Sequence, residues 1–285
     1  MDKSLLFLVL CCVLQFNTAQ AENIYYPPPL SEWDKRQNYP IRLLGRALAL
    51  SDPSLKLTQF AEQVGQDKAL NMLNSGQIDV VWTMTNKQRE ALYLPIRIPI
   101  VKGLSGWRLL LIKDEHQRIF DTIGSVNQLS LFKAVQGESW PDTQILRANQ
   151  LRVISYEGYD QLFEILINGE AQYFPRSVFE IWEEALTYSK QGIAIEKNLV
   201  LQYPTALYFF VNSREDVLAK KIEQGLNMMR ENGEFDDLFM HTFGPAILKA
   251  NLLQRTVIRL ENPSLPKETP LQDKTLWYQP NMDRW

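Results

Sequence analysis

Two arginines stand where a chain could grip an anion. Arg89 lies in "TMTNKQREAL", just after a short apolar run, and Arg176 ends the run "QYFPRS". A guanidinium presents planar paired donors that hold a carboxylate by charge-assisted bonds, each worth about 1.5–3 kcal/mol. Each arginine also has a plainer reading. Arg89 could sit solvated on the first turn of a helix "KQREAL" or pair with Glu90. Arg176 could pair with Glu180 or Glu183. At Arg176 the flanks favour recognition modestly. Pro175 stiffens the strand exit, Ser177 can cap a helix over "VFEIWEEAL", and arginine suits buried planar recognition where lysine would serve a surface pair. The run Ser139-Trp140-Pro141-Asp142 reads as a helix start, with Ser139 as cap and Asp142 at the third helical position. The free N–H groups of such an end suit an anion, although a cap with no further role fits equally well. Trp82, Trp107 and Trp140 could stack on a flat ligand, Trp140 foremost, while the plain alternative is core packing.

Other chemistries find little support. The histidines are His116, in the polar "DEHQR", and His241, in "LFMHTF"; each reads as an ordinary surface or helix residue. No HExxH spacing and no GxxxxGK[ST] loop occurs, so neither zinc hydrolysis nor nucleotide hydrolysis is expected, and no metal or cofactor is assigned. A formal net charge of −3 with no local basic stripe argues against a nucleic-acid partner. With 45% hydrophobic and 22% charged residues over 285 positions, the chain has a globular composition and enough length for two lobes.

The first 21 residues differ from the rest. Lys3 precedes an apolar run from Leu5 to Leu14, and Ala19-Gln20-Ala21 supplies small residues around a cleavage point. That layout is a secretory leader, 1–21, and its run is shorter than the roughly 20 residues a bilayer span needs. Cys11 and Cys12 are the two cysteines and both fall inside it. The mature chain is therefore expected to be exported, to lack thiol chemistry and to be soluble and monomeric in the periplasm.

Downstream, strand-like and helix-like periods alternate, which predicts an α/β fold. "AENIYYPPP" reads as a short strand and "YPIRLLGRALALS" as a helix ending near Asp52. One figure appears twice. A helix through Leu70 and Leu73 stops at Gly76 and leads to a strand from Ile78 to Trp82. A helix through Leu162, Ile165 and Leu166 stops at Gly169 and leads to a strand through Tyr173 and Phe174. Aligning the glycines places Thr83 against Arg176. Ligands of open α/β sheets bind at the carboxyl ends of strands, so the two would face each other across a cleft, with Phe174 beside Arg176. The strands Trp107–Ile112 and Leu207–Val211 bracket a block with its own alternation. The expected division is 22–113 plus 204–260 as lobe one, 114–203 as lobe two, and 261–285 as an extended strap or tail in which Leu276-Trp277-Tyr278 could dock. Two crossings make a hinge.

The segment "LNSGQIDVVWTMTNKQREALYLPIRIPI" resembles the type II periplasmic solute-binding proteins, in the branch of polar amino-acid receptors. "VQGESW" is similar to that family's entry to the second lobe, and "ENGEFDDLFMHTFG" to its closing helix. The resemblance covers 23–244. It implies a two-lobe Venus-flytrap receptor that hands a small solute to an inner-membrane permease. It also implies that Arg89 grips a carboxylate, that Thr85 or Thr83 adds a hydroxyl contact, and that Tyr25 or Tyr26 supplies an aromatic from the first strand. Where the family usually ends the second-lobe strand near an aspartate for the ligand's ammonium group, this chain has "FPRS". The expectation is thus a small anionic ligand, a carboxylate, held between Arg89 and Arg176, with Thr83, Thr85, Trp82, Trp140, Ser139, Tyr26 and Phe174 around it. Two alternatives stay open. One is a sensory receptor read by a membrane kinase. The other is a cyclohexadienyl dehydratase-like enzyme, which needs a carboxylic acid in the cleft, for which Glu138 is the candidate.

Overall fold

A computed structural model describes residues 22–28 and 37–280. The expected leader lies outside the described residues, as do the last residues of the expected tail. Strand β1 (Glu22–Tyr26) buries Ile24 and Tyr26 while their neighbours face out, the two-residue period of a half-buried strand. Helix α1 (Asn38–Ser51) forms because Tyr39, Leu43, Leu44, Ala47 and Leu48 share one face, and all of them are buried. It carries the chain to β2 (Leu55–Gln59), parallel to β1. Then come α2 (Gln66–Ser75), β3 (Val81–Met84), α3 (Lys87–Leu92) and β4 (Tyr93–Ile96).

The first lobe holds two smaller sheets, the β1-β2 pair and a three-stranded sheet with β3 and β4 at its edges. The chain next builds the sheet of the second lobe (the second sheet). Its elements are β5 (Trp107–Lys113), the single turns α4 (Gln117–Phe120) and α5 (Val126–Leu129), β6 (Lys133–Gly137), α6 (Pro141–Ala148), β7 (Arg152–Tyr156), α7 (Tyr159–Ile167), β8 (Tyr173–Ser177), α8 (Ile181–Thr187), β9 (Ile193–Ile195) and β10 (Leu199–Gln202). It returns in β11 (Leu207–Asn212), which lies antiparallel between β3 and β4. Helices α9 (Asp216–Glu231) and α10 (Glu234–Ala250) follow, and α9 packs on α1. Finally β12 (Thr256–Arg259) joins β10 in parallel, so the second sheet is ordered β12-β10-β5-β8-β6-β7, with β9 also on β5. Among the described residues no helix is long and apolar enough to cross a membrane.

Strand pairing moves the expected lobe boundaries. Strand Trp107–Lys113 pairs with β8, β9 and β10, so the outward crossing occupies 97–106 and not the neighbourhood of Lys113. Residues 203–206 join β10 to β11, and β12, from the stretch expected in lobe one, pairs with β10 in the sheet that holds β5. A continuous apolar strand such as "WRLLLIK" fits the interior of a sheet in either lobe, and only its partners assign it.

The repeated figure holds in backbone detail. Gly76 (φ 74°) and Gly169 (φ 77°) both adopt the left-handed conformation. In the first copy Gly76 N–H donates to Leu73 and Gln77 N–H to Met72. In the second, Gly169 N–H donates to Leu166 and Glu170 N–H to Ile165. Both copies are the helix-ending loop that a left-handed glycine permits. The match runs one residue further, with Ile78 N–H donating to Met72 and Ala171 N–H to Ile165. The copies part where the Asp79 and Val80 amides are drawn to Tyr25, so β3 begins at Val81 and not at Ile78. Strand β8 continues through Pro175 and Arg176 to Ser177, beyond the stop expected after Phe174. Its pairing to β6 is at Tyr173, which leaves Pro175 matched to Leu110 of β5. A proline is tolerated where one side of the ladder has opened.

At both glycines a Cβ would meet nothing within 4 Å, so only backbone strain opposes a side chain. Gly76→Ala and Gly169→Ala are therefore each expected to lower the unfolding free energy by about 1–2 kcal/mol, measured by urea denaturation. Losses that differ by more than that range would break the equivalence of the two copies.

Candidate functional site

Arg89 is positioned locally. The Asn86 side chain accepts the Arg89 amide and caps α3, which places Arg89 in the first turn. Its guanidinium folds back on the end of β3, where Nη1 donates to the Met84 carbonyl at 2.6 Å and to Thr83 Oγ1 at 2.8 Å. Thr83 in turn donates to Gln66 Oε1 at 2.9 Å, at the start of α2. The side chain is not solvated, since Arg89 is 8% exposed, and it does not pair with Glu90. Glu90 instead binds Arg97 at 2.5 Å and accepts from Thr85. Among the described residues no carboxylate lies within 4 Å of Arg89. Burial pushes its guanidinium below the ordinary range, and Asp67, Asp142 and Tyr93 counter this in part.

Arg89 lines a cavity of about 260 Å³. The first lobe contributes Asp67, Arg89 and Tyr93 to its wall, and the second contributes Ser139, Pro141 and Gln144. The second-lobe wall is the beginning of α6. Trp140 is the residue flanking that helix and Pro141 opens it, while no side chain caps it. The cap expected from Ser139 is therefore absent; Ser139 is exposed at the cavity instead. Proline at the first helical position needs no partner for an N–H, which removes part of the demand for a cap. Glu138 is exposed next to Ser139.

Arg176 lies in a second cluster. It is 2% exposed, and its guanidinium makes a two-point pair with Glu184, Nε to Oε2 and Nη2 to Oε1, both at 2.7 Å. Glu180 stands 3.5 Å away, and Tyr159 Oη donates to Glu184. The cation also lies 4.9 Å from the Phe174 ring centre and 5.0 Å from that of Trp140, rings that stack on each other. Burial disfavours its charge, yet Glu180 and Glu184 hold the guanidinium protonated above its usual range. Glu184 is the close partner, where the sequence reading offered Glu180 or Glu183. The reason is strand pairing: Ser177 remains in the sheet, opposite Arg108, and α8 starts only after Glu180. Ser177 accordingly does not cap a helix, and the Glu180 carboxylate accepts its amide.

The cluster extends to residues that sequence reasoning passed over. Arg108, on β5, pairs with Asp142 at 2.7 Å and with Glu180 at 3.3 Å, and Tyr203 Oη donates to Asp142. Glu180 thus links both arginines. Arg108 was detectable as a lone cation inside the apolar run "GWRLLLI", which signals a buried pair. From the sequence Asp142 reads only as a helix-start residue.

The remaining aromatic candidates form a third group. Trp82 donates to Gln37 Oε1 at 2.6 Å, packs on Tyr26 with ring centres 5.9 Å apart, and meets Phe209 edge-on. The structure therefore brings Arg89 and Ser139 to one cavity, with buried Thr83 bonded to Arg89, brings Trp140, Phe174 and Arg176 to an ion cluster, and brings Trp82 with Tyr26 to the core of the first lobe. Thr85 is turned to Glu90.

No family model matches the chain, and no curated protein matches it. Solved structures match by fold. An ancestral arginine-binding protein bound to arginine superposes with a TM-score of 0.58 at 17% identity, over 79% of this chain and 98% of that one. A periplasmic His/Glu/Gln/Arg/opine family-binding protein from Silicibacter pomeroyi, in complex with lysine, gives 0.54 at 12% identity, over 71% and 85%. An ancestral amino-acid-binding protein, a precursor of cyclohexadienyl dehydratase, gives 0.56 at 18% identity, over 79% and 96%. The chain has the two-lobe α/β fold of these binding proteins.

Proposed function

We propose that this chain is an exported receptor that closes its lobes on a small solute bearing one carboxylate, an amino acid or a close analogue, and presents it to an inner-membrane permease. One observation carries the reading. Arg89 is a buried guanidinium with no carboxylate partner among the described residues, at a cavity walled by both lobes. An unpaired buried cation is costly, and a ligand carboxylate would relieve that cost. Arg176 enters differently from the anion cradle expected at the outset. Its charge is engaged by Glu184 and Glu180, so it shapes the second-lobe wall, and the ligand needs one negative group and not two. Asp67, Asn71 and Gln144 then offer a carboxylate and amides to an ammonium or polar side chain. The solutes named for proteins of this fold, arginine and lysine, fit that polarity.

The test is a melting scan of protein lacking residues 1–21 with the twenty amino acids, small dicarboxylates and prephenate. A true ligand at 100 times its Kd is expected to add about 2.7 kcal/mol to the unfolding free energy. A panel in which only dicarboxylates act would restore the two-arginine cradle. Conversion of prephenate, followed by product absorbance, would replace the receptor with the enzyme.

A further inference from the structure

The segment after β12 does more than trail from the body. Glu261 and Asn149, the residue that ends α6, clasp each other reciprocally. Asn149 Nδ2 donates to the Glu261 carbonyl at 2.8 Å, and Glu261 N–H donates to Asn149 Oδ1 at 2.9 Å. Three residues on, the Ser264 carbonyl accepts the Lys87 amide, the first of α3, at 3.0 Å, and Lys87 Nζ donates to the Pro263 carbonyl at 2.7 Å. Between these anchors the chain is pulled into a tight turn, because Asn262 Oδ1 accepts from both Ser264 N–H and Ser264 Oγ. The other end of the Asn262 amide donates to the Pro204 carbonyl, in the return crossing. Further along, Tyr278 N–H donates to the Lys102 carbonyl in the outward crossing, where Trp277 lies against Gly103.

We infer that 261–264 is a tether that sets the width of the cleft. It joins α3, which carries Arg89, to α6, which carries Pro141 and Gln144 on the facing wall. Four residues reach roughly 14 Å at full extension, and this segment is folded into a turn, so its span is shorter still. The two walls cannot separate at this edge without breaking the Lys87 or the Asn149 contacts. A hinge of two crossings alone would leave lobe separation free; the tether limits opening and holds the unliganded receptor near its binding geometry. Less of the binding energy is then spent on closure. That consequence rests on the receptor reading. The mechanical limit does not.

The experiment is run without any solute, so its outcome is independent of the ligand. Nitroxides are placed at Asn74→Cys in the first lobe and Lys190→Cys in the second, with Cys11 and Cys12 changed to serine, and inter-label distances are read by pulsed dipolar spectroscopy. The otherwise unaltered tether is expected to give one narrow distribution. Asn149→Ala, which removes both bonds of the clasp, is expected to widen it and move its mean outward by several ångströms. Pro263→Gly, which loosens the turn while deleting no bonded side chain, is expected to act in the same direction and keeps the test open should the first variant fold poorly. A distribution already broad with the tether intact, or unchanged in a folded variant, overturns the inference.

Discussion

Replacing Arg89 with alanine is expected to weaken solute binding by about 10- to 100-fold, the equivalent of losing a charge-assisted carboxylate grip of ~1.5–3 kcal/mol. The guanidinium spends Nη1 on Thr83 and Met84, which aims the rest of the fork without consuming its charge. Arg89→Lys keeps the charge but not the planar fork, and is expected to recover only part of the affinity. Isothermal titration with the best solute of the melting panel measures both. Unchanged affinity in Arg89→Ala would remove Arg89 from the site and with it the observation that carries the proposed function. Thr83→Val serves as a control of a different kind. It deletes one bond that orients Arg89, so it should weaken binding by less than Arg89→Ala does.

Arg176→Ala is expected to act on stability. It leaves Glu184 buried without its cation, and breaking one side of a buried pair costs about 3–5 kcal/mol. For a chain of this size that lowers the melting temperature by roughly 2–4 °C per kcal/mol, or on the order of 10 °C in all. Glu184→Ala leaves the guanidinium only its longer contact to Glu180, and should cost less than Arg176→Ala. The double replacement Arg176→Met/Glu184→Met is expected to regain a large part of the loss, because well-packed apolar side chains can replace a buried ion pair with little penalty. Calorimetry on all three variants tests the claim. An unaltered melting temperature in Arg176→Ala, together with abolished binding, would return Arg176 to the ligand.

How far the sequence reaches differs sharply between these two arginines. Arg89 is placed by neighbours within a few residues: Asn86 caps its helix, and Thr83 and Met84 receive its donors. Such contacts follow from local chain geometry, so the spacing in "TMTNKQR" already contains them. Arg176 is placed by Trp140 and Tyr159, far from it in the chain, and by a helix whose first residue is delayed to Ile181. That delay selects Glu184 over Glu183, and nothing in "SVFEIWEEAL" alone marks it. The expected caps at Ser139 and Ser177 failed for related reasons: Pro141 opens α6 without one, and Ser177 is still paired in β8.

By itself the sequence determined the alternation of strands and helices, the two left-handed glycines that end α2 and α7, and the place of Arg89 in the first turn of α3. These depend on periodicity and on turns closed by hydrogen bonds between near neighbours. Tertiary structure decided which sheet owns β5 and β12, which carboxylates neutralise Arg108 and Arg176, and where 261–264 ties the walls of the cleft. Each is a pairing between groups far apart in the chain. Any of several acidic residues or strand edges could have met those needs equally well on composition, and only packing the whole chain brings one of them within bonding distance.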